Sequence, residues 1–111
     1  MKHMVRLAGG AQVPALGQGT WYLGDAEETR AREIDALRAG IEAGMTLLDT
    51  AENYGDGLSE TLVGEAIRPY DRTKLFLVSK VMPSNAYGTR LMTSLDRSLS
   101  HLGTDYLDLY L

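Results

Sequence analysis

The sequence predicts an α/β fold in which about four parallel strands alternate with three helices, after an N-terminal β-hairpin. Two observations carry this prediction. Short apolar runs at 45–50, 75–80 and 106–111 are typical of parallel strands that are buried on both faces. Segments with apolar residues at helical spacing lie between these runs, and crossovers of that length connect parallel strands.

The first 21 residues carry the hairpin and the first core strand. Residues 4–14 predict a small β-hairpin, because Gly9 and Gly10 between two short apolar stretches can adopt the positive φ of a tight turn. Residues 15–21 follow as the first strand of the sheet. The two glycines in that strand indicate close approach of another backbone or a ligand at its end.

The first helix is predicted over about 26–43. Its start is marked by a capping pair, Asp25 and Glu28, and its end by Gly44 at the position of a C-cap glycine. Ile34, Leu37 and Ile41 recur at helical spacing within it.

Two further helices follow. Ser59 is predicted to cap the second helix, and Pro69 marks its end. The third helix is predicted from a leucine stripe at helical spacing, with Gly103 just beyond its end; the stripe consists of Leu91, Leu95, Leu99 and Leu102.

Composition bounds the class of protein. The 111 residues are 44% hydrophobic and 23% charged, which is ordinary for a globular protein. The net charge of −4 and the scattered basic residues argue against a nucleic-acid surface. No apolar run has the roughly 18 residues that a membrane span needs, the first residues lack a signal peptide, and we therefore expect a cytoplasmic protein.

Metal and phosphate sites are not predicted. Cysteine is absent, and the two histidines lie far apart in the sequence, so a zinc site is not expected. The segment 17–19 lacks the third glycine and the helix start of a dinucleotide-binding fingerprint.

Three polar residues at strand ends predict an active site. Asp49 and Lys80 close two apolar runs, and Tyr54 follows Asp49 by five residues. Catalytic side chains of barrels and open parallel sheets lie at the carboxyl ends of the strands. Singly, each has a structural explanation, as a turn residue, a rim aromatic or a solvated strand-end charge. Together they predict an acid–base unit.

The chemistry of that unit follows from the residue types. A carbonyl that receives a hydride also needs a proton on its oxygen, and a phenol is a weak acid unless a cation stands beside it. Lys80 would supply the cation, Asp49 would keep Lys80 charged and oriented, and Tyr54 would be the proton donor. An apolar substrate wall is expected from Trp21 and Tyr22 at the end of the first strand, together with Tyr54, Met82 and Tyr87.

Several motifs identify a family. Residues 48–55 (LDTAENYG), 78–80 (VSK) and 99–111 (LSHLGTDYLDLYL) resemble the N-terminal half of aldo-keto reductases. The hairpin and residues 16–21 are similar to the barrel-bottom plug and first strand of that family. The resemblance implies the N-terminal half of a (β/α)8 TIM barrel. It also implies reduction of aldehydes and ketones with NADPH, less often NADH.

The resemblance also implies roles for individual residues. Asp49, Tyr54 and Lys80 correspond to three members of a catalytic tetrad, and the nicotinamide end of the cofactor is expected on Gly19, Thr20, Trp21 and Asp49. The fourth member in the family is a histidine beyond the fourth strand, after the last residue here. His101 is predicted only to favour the dipole at the end of the third helix.

The chain is too short for a closed barrel. A closed barrel takes roughly 250 residues, and about half of one is present, with residues 15–111 as the first half-barrel. The open edge of the last strand is expected to recruit a partner or a second copy. Three explanations remain open: a chain that continues, two copies that associate, or an excised fragment. The isolated segment is expected to be weakly active or inactive, and a non-catalytic, self-associating half-barrel that binds a ligand or partner is the alternative function.

Overall fold

The N-terminal hairpin has the predicted extent. The computed structural model describes residues 3–111, in which β1 (Met4–Arg6) pairs antiparallel with β2 (Gln12–Pro14). Of the two turn glycines, only Gly10 has a positive φ, at 93°. The turn therefore needs a glycine at one position and not at two.

A four-stranded parallel sheet forms the centre of the fold. Its order is β3–β4–β5–β6, so each strand lies beside the next one in sequence. The sheet confirms the predicted topology, although every strand is shorter than its apolar run. The strands are β3 (Gln18–Gly19), β4 (Leu47–Asp49), β5 (Phe76–Ser79) and β6 (Leu109–Tyr110).

The first helix, α1, spans Arg30–Glu42 and follows a 3₁₀ turn at Glu27–Thr29. The predicted capping pair is wrong, because no side chain caps the start of either segment. Instead Glu33 in the first turn accepts hydrogen bonds from the Gly24 N–H at 3.0 Å and the Thr29 hydroxyl at 3.2 Å.

The predicted end of α1 is confirmed. Gly44 has a φ of 100°, and its N–H donates to the Ile41 carbonyl oxygen at 3.0 Å. The left-handed residue thus satisfies a helix carbonyl and turns the chain toward β4.

The second helix, α2, spans Leu58–Ile67 and ends two residues before Pro69. The prediction that Ser59 caps it is wrong, because the helix begins at Leu58 and Gly57 occupies the N-cap with a φ of 95°. The Ser59 hydroxyl donates instead to the Thr20 carbonyl oxygen at 2.8 Å. A completely buried Ser59 therefore links α2 to the end of β3.

The third helix, α3, spans Gly88–Leu102, with Gly103 at φ 67° as its predicted C-cap. Of the leucine stripe only Leu102 is buried, and the other buried residues of α3 are Ser94 and Ser98. The other three leucines of the stripe are only partly buried. Within residues 3–111, α3 packs on α2 at one side, and no further helix packs on its other side.

The core lies between the sheet and the three helices. Burying a leucine or isoleucine side chain contributes roughly 2 kcal/mol, so this layer is the main stabilising feature of the fold. None of the helices within residues 3–111 is both long and apolar enough to cross a membrane. The core consists of Ile34, Leu37, Ile41, Leu48, Leu62, Val63, Ala66, Ile67, Leu75, Leu77 and Leu102.

Candidate active site

The structure brings the three predicted polar side chains together. Asp49 is the last residue of β4, Lys80 follows β5 directly, and Tyr54 lies in the loop between β4 and α2. The Lys80 ammonium donates to Asp49 Oδ1 at 2.8 Å and to Tyr54 Oη at 3.2 Å. All three atoms therefore meet at the carboxyl edge of the sheet.

The ammonium of Lys80 has three acceptors. In addition to Asp49 and Tyr54, it donates to the Thr50 carbonyl oxygen at 3.1 Å. Partial burial opposes the charge on Lys80. The hydrogen bonds and charge of Asp49, with the contribution of Tyr54, outweigh that cost and hold the pKa of Lys80 above its ordinary value. Lys80 is therefore a fixed cation at neutral pH.

The loop after Tyr54 is held in a left-handed turn. Gly55, Asp56 and Gly57 have φ values of 60°, 53° and 95°. Glycine is favoured at position 55 by its positive φ, since the nearest atom to a Cβ there belongs to the exposed Asp25 carboxylate, which can rotate away. The turn leads the chain into α2 and leaves the Tyr54 ring 5.0 Å from the Lys80 ammonium.

Buried hydroxyl groups hold together the carboxyl edge of the sheet next to Asp49. The Thr20 hydroxyl donates to the Asp49 carbonyl oxygen at 2.9 Å, and the Thr50 hydroxyl lies 3.4 Å from Ser59 Oγ. Together with the Ser59 bond to Thr20, these contacts tie β3, β4 and α2 together next to Asp49. Buried hydroxyls that are satisfied in this way stabilise one geometry of the strand ends.

Aromatic rings form the exposed side of the site. The Trp21 and Tyr22 rings stack with centroids 4.7 Å apart, and the Trp21 ring lies 6.4 Å from that of Tyr54. Trp21 and Tyr22 are 66% and 64% exposed, and Tyr22 adopts a φ of 72°, which is costly for a residue with a Cβ. Two large aromatic residues thus stay on the surface beside the three polar groups.

The remaining predicted residues occupy different positions. Gly19 ends β3, and a Cβ there would meet nothing within 4 Å, so the space beside it is open. Thr20 is completely buried and uses its hydroxyl within the protein. Met82 is exposed in the segment after β5, and Tyr87 lies further along, where its ring contacts the Arg90 guanidinium at 5.3 Å.

One residue beside the site received no role from sequence reasoning. Glu52 is buried, and its Oε2 accepts hydrogen bonds from the Met82 N–H at 2.6 Å and from Asn85 Nδ2 at 3.2 Å. Burial opposes ionisation of Glu52, but these bonds outweigh burial and lower its pKa. Its place between Asp49 and Tyr54 in the motif was the available signal.

His101 has a contact that its position in the sequence does not reveal. Its Nδ1 lies 3.3 Å from Oε1 of Glu60, which is completely buried, and Glu60 Oε2 accepts the Ser79 hydroxyl at 2.6 Å. His101 was predicted only to favour the helix dipole, and its contact with Glu60 was not foreseen. Because the carboxylate stands between the serine and the histidine, His101 is not placed to take a proton from Ser79.

These features define a class of protein: a parallel α/β fold in which polar side chains meet at the carboxyl ends of neighbouring strands. Residues 15–111 match the sequence profile of the aldo/keto reductase family, and the chain belongs to that family.

Similar proteins agree with this assignment. The chain is 54% identical over 108 residues to methylglyoxal reductase YeaE of Escherichia coli, covering 97% of the chain and 38% of that protein. It is 37% identical to morphine 6-dehydrogenase of Pseudomonas putida, with 97% and 34% covered. An aldo-keto reductase from Klebsiella pneumoniae, crystallised with NADPH, superposes with a TM-score of 0.92 at 48% identity.

The extent of these matches confirms the predicted fold class. The superposition covers 99% of this chain and 38% of the Klebsiella protein. The chain thus spans less than half the length of the relatives that it matches. The parallel sheet, three helices and hairpin correspond to the N-terminal half of a TIM barrel.

Proposed function

We propose that the protein containing these residues is an NADPH-dependent oxidoreductase that reduces aldehydes and ketones to alcohols. The observation that carries this proposal is the contact of the Lys80 ammonium with both Asp49 Oδ1 and Tyr54 Oη. The similarity to a methylglyoxal reductase supports the substrate class. The similarity to an aldo-keto reductase crystallised with NADPH supports the cofactor.

The residues at the end of β3 and β4 fit the nicotinamide end of the cofactor. Open space lies beside Gly19, the Trp21 ring is exposed next to it, and the Asp49 side chain remains 38% exposed. An aromatic face and a partly exposed carboxylate suit a flat ring that carries an amide. Gly19, Trp21 and Asp49 would contact the cofactor, with the buried Thr20 supporting them.

The chain's own residues would manage the proton. A bound nicotinamide cofactor would supply the hydride for the carbonyl carbon. Lys80 donates to Tyr54 Oη, so the phenolic proton is free to point toward the substrate oxygen. The substrate oxygen would accept this proton as the carbonyl group is reduced to an alcohol. Lys80 then stabilises the negative charge left on Tyr54, and Asp49 holds Lys80 in place.

The exposed aromatic residues would form the substrate wall. Trp21 and Tyr22 stack on one another beside Tyr54, and Met82 follows Lys80 by two residues. Apolar faces around a few convergent polar groups are typical of small-molecule sites. Small carbonyl compounds, such as methylglyoxal, are the substrates that we propose to test first, with NADPH preferred over NADH.

Residues 15–111 would act as the first half-barrel of a complete reductase domain. The outer edge of β6 pairs with no strand among residues 3–111, and Leu109 and Leu111 are 38% and 60% exposed. A second copy could cover that edge, and a non-catalytic, self-associating half-barrel is the second candidate function. The isolated segment 1–111 would then be a dimer without turnover.

The test uses the complete gene product. Its intact mass is determined first, and the decrease of NADPH absorbance is then followed with methylglyoxal and with an aromatic aldehyde. We expect turnover with NADPH and weaker or no turnover with NADH. A stable dimer of the complete product that oxidises neither cofactor would instead favour the non-catalytic half-barrel.

A further inference from the structure

We propose that Glu52 is a positioning residue that fixes the segment carrying Met82 against the loop that carries Tyr54. This inference rests on the proposed function for its catalytic consequence. Its structural part can be tested separately.

Glu52 binds two neighbouring parts of the chain through different atoms. Its backbone N–H donates to the Lys80 carbonyl oxygen at 3.1 Å. Its side-chain Oε2 accepts the Met82 N–H at 2.6 Å and Asn85 Nδ2 at 3.2 Å. Glu52, which lies two residues before Tyr54, thus holds both ends of segment 80–85.

The side-chain bonds are of a strong type. Glu52 is 8% exposed, and a buried carboxylate is costly unless hydrogen bonds compensate it. Arg97 on α3 also lowers the pKa of this carboxyl through its charge, and within residues 3–111 the second carboxylate oxygen, Oε1, is buried without a hydrogen-bond partner. Hydrogen bonds to an ionised acceptor are about twice as strong as neutral ones. The segment is therefore held by the side chain and not only by its own turn.

The position of Met82 makes this fixation relevant to substrate binding. Met82 is exposed, and it begins the 3₁₀ turn of residues 83–85 as its N-cap. The only backbone donor of Met82 is taken up by Glu52. Without that acceptor, the Met82 N–H loses its partner, while the Lys80 carbonyl oxygen keeps its bond from the Glu52 N–H and the Val81 N–H keeps its bond to the Leu111 carbonyl oxygen. The expected defect lies in the substrate wall and not in the proton donor.

Two variants distinguish the effect of losing the side-chain acceptor of Glu52 from the effect of losing its negative charge. Glu52→Gln keeps the shape and an oxygen that can accept the Met82 N–H, whereas Glu52→Ala removes the acceptor. Asp96→Ala is the matched control, since it removes an exposed carboxylate on α3 that makes no ion pair within residues 3–111. All three are made in the complete gene product.

Kinetics give the first measurement. In Glu52→Ala we expect KM for the carbonyl substrate to rise about tenfold with kcat changed less than about threefold, and in Glu52→Gln and Asp96→Ala we expect KM within about twofold of wild type. A purely structural role would lower the active fraction, and therefore the apparent kcat, with KM unchanged. That result, or a KM in Glu52→Gln as high as in Glu52→Ala, overturns the proposal.

Amide hydrogen exchange at Met82 gives the second measurement and needs no turnover. We expect exchange at least about tenfold faster in Glu52→Ala and within about threefold of wild type in Glu52→Gln. Unchanged exchange in Glu52→Ala overturns the positioning role whatever the kinetics show. If the wild-type protein reduces no carbonyl, the proposed function fails, and the Met82 amide alone decides whether Glu52 holds this segment.

Discussion

Asp49 on β4 pairs in register with Val78 on the neighbouring strand β5, so that Lys80, two residues beyond Val78, reaches Asp49 Oδ1 at 2.8 Å. Residues two apart on a strand point to the same face of a sheet. A slip of one residue in this register would turn Lys80 to the other face. The apolar residues that fix the register thereby also fix the contact between the two charges.

The first prediction concerns the proton donor. In Tyr54→Phe we expect kcat to fall by about 10²–10⁴, because the hydroxyl that would protonate the substrate oxygen is removed while the ring remains. NADPH affinity, measured by fluorescence titration, should stay near that of wild type, because the cofactor contacts proposed on Gly19, Trp21 and Asp49 are unchanged.

Tyr70→Phe is a suitable control for this experiment. Its hydroxyl lies 3.4 Å from the Arg38 carbonyl oxygen, among the helices and away from Lys80. This variant should keep the wild-type kcat. A Tyr54→Phe protein with wild-type turnover would exclude Tyr54 as the acid.

The second prediction concerns the charge pair and pH. The raised pKa of Lys80 means that its charge stabilises the fold fully below pH 10.5, its ordinary value, and that this contribution is lost as the pH rises through the folded-state pKa. Asp49→Asn removes the negative partner. At neutral pH we expect the variant to be less stable by about 1 kcal/mol, since both side chains are partly exposed.

Denaturant unfolding of both proteins across pH checks this prediction. The stability gap should be constant from neutral pH to about the ordinary pKa of lysine and should close at higher pH. A gap that closes on acidification instead, well above the range in which carboxylates titrate, would assign the effect to another group.

The third prediction concerns the buried hydroxyl between α2 and β3. Ser59→Ala should lower the free energy of unfolding by about 1–3 kcal/mol, because the completely buried Thr20 carbonyl loses the donor at 2.8 Å. Thermal and denaturant unfolding measure the loss. Ser100→Ala on the exposed face of α3 is the control and should change stability by less than about 0.5 kcal/mol. Equal stability of the two variants would contradict the supporting role of Ser59.

Periodicity in the sequence was sufficient for the parallel sheet and the three helices, because apolar runs and helical spacing report burial directly. It was not sufficient for Ser59, since a serine at a helix start has the same local pattern whether it caps the helix or bonds to another strand. The contact of Ser59 with Thr20 spans 39 residues and exists only in the folded chain.

In the candidate site too, some features were predictable from the sequence and others depend on contacts formed only in the folded chain. Asp49, Tyr54 and Lys80 could be grouped from strand-end positions and from family motifs, because parallel strands end at one edge. The role of Glu52 in holding Met82 could not, because it depends on a backbone N–H 30 residues away. The burial of Ser94 and Ser98 on α3 was not predictable for a related reason: serine carries no apolar signal in the sequence, and only packing in the folded chain buries it.

The fourth prediction concerns the close packing of α2 on α3. Gly64 lies within α2, where alanine would normally be more favourable than glycine by about 1 kcal/mol. Here a Cβ on Gly64 would lie 2.5 Å from the His101 carbonyl oxygen and 2.9 Å from that of Leu102, and both are backbone atoms. Since neither can rotate away, Gly64→Ala should destabilise the protein by about 1–3 kcal/mol.

The matched control for Gly64→Ala is Gly19→Ala, because a Cβ on Gly19 meets nothing within 4 Å and the residue has no positive φ. The control should unfold at nearly the same denaturant concentration as wild type. If Gly64→Ala were as stable as wild type, α2 and α3 would have to separate by several tenths of an ångström without cost. Because the His101 carbonyl belongs to the last turn of α3, that separation would also move His101 away from Glu60, and His101 NMR signals would report the shift independently of stability.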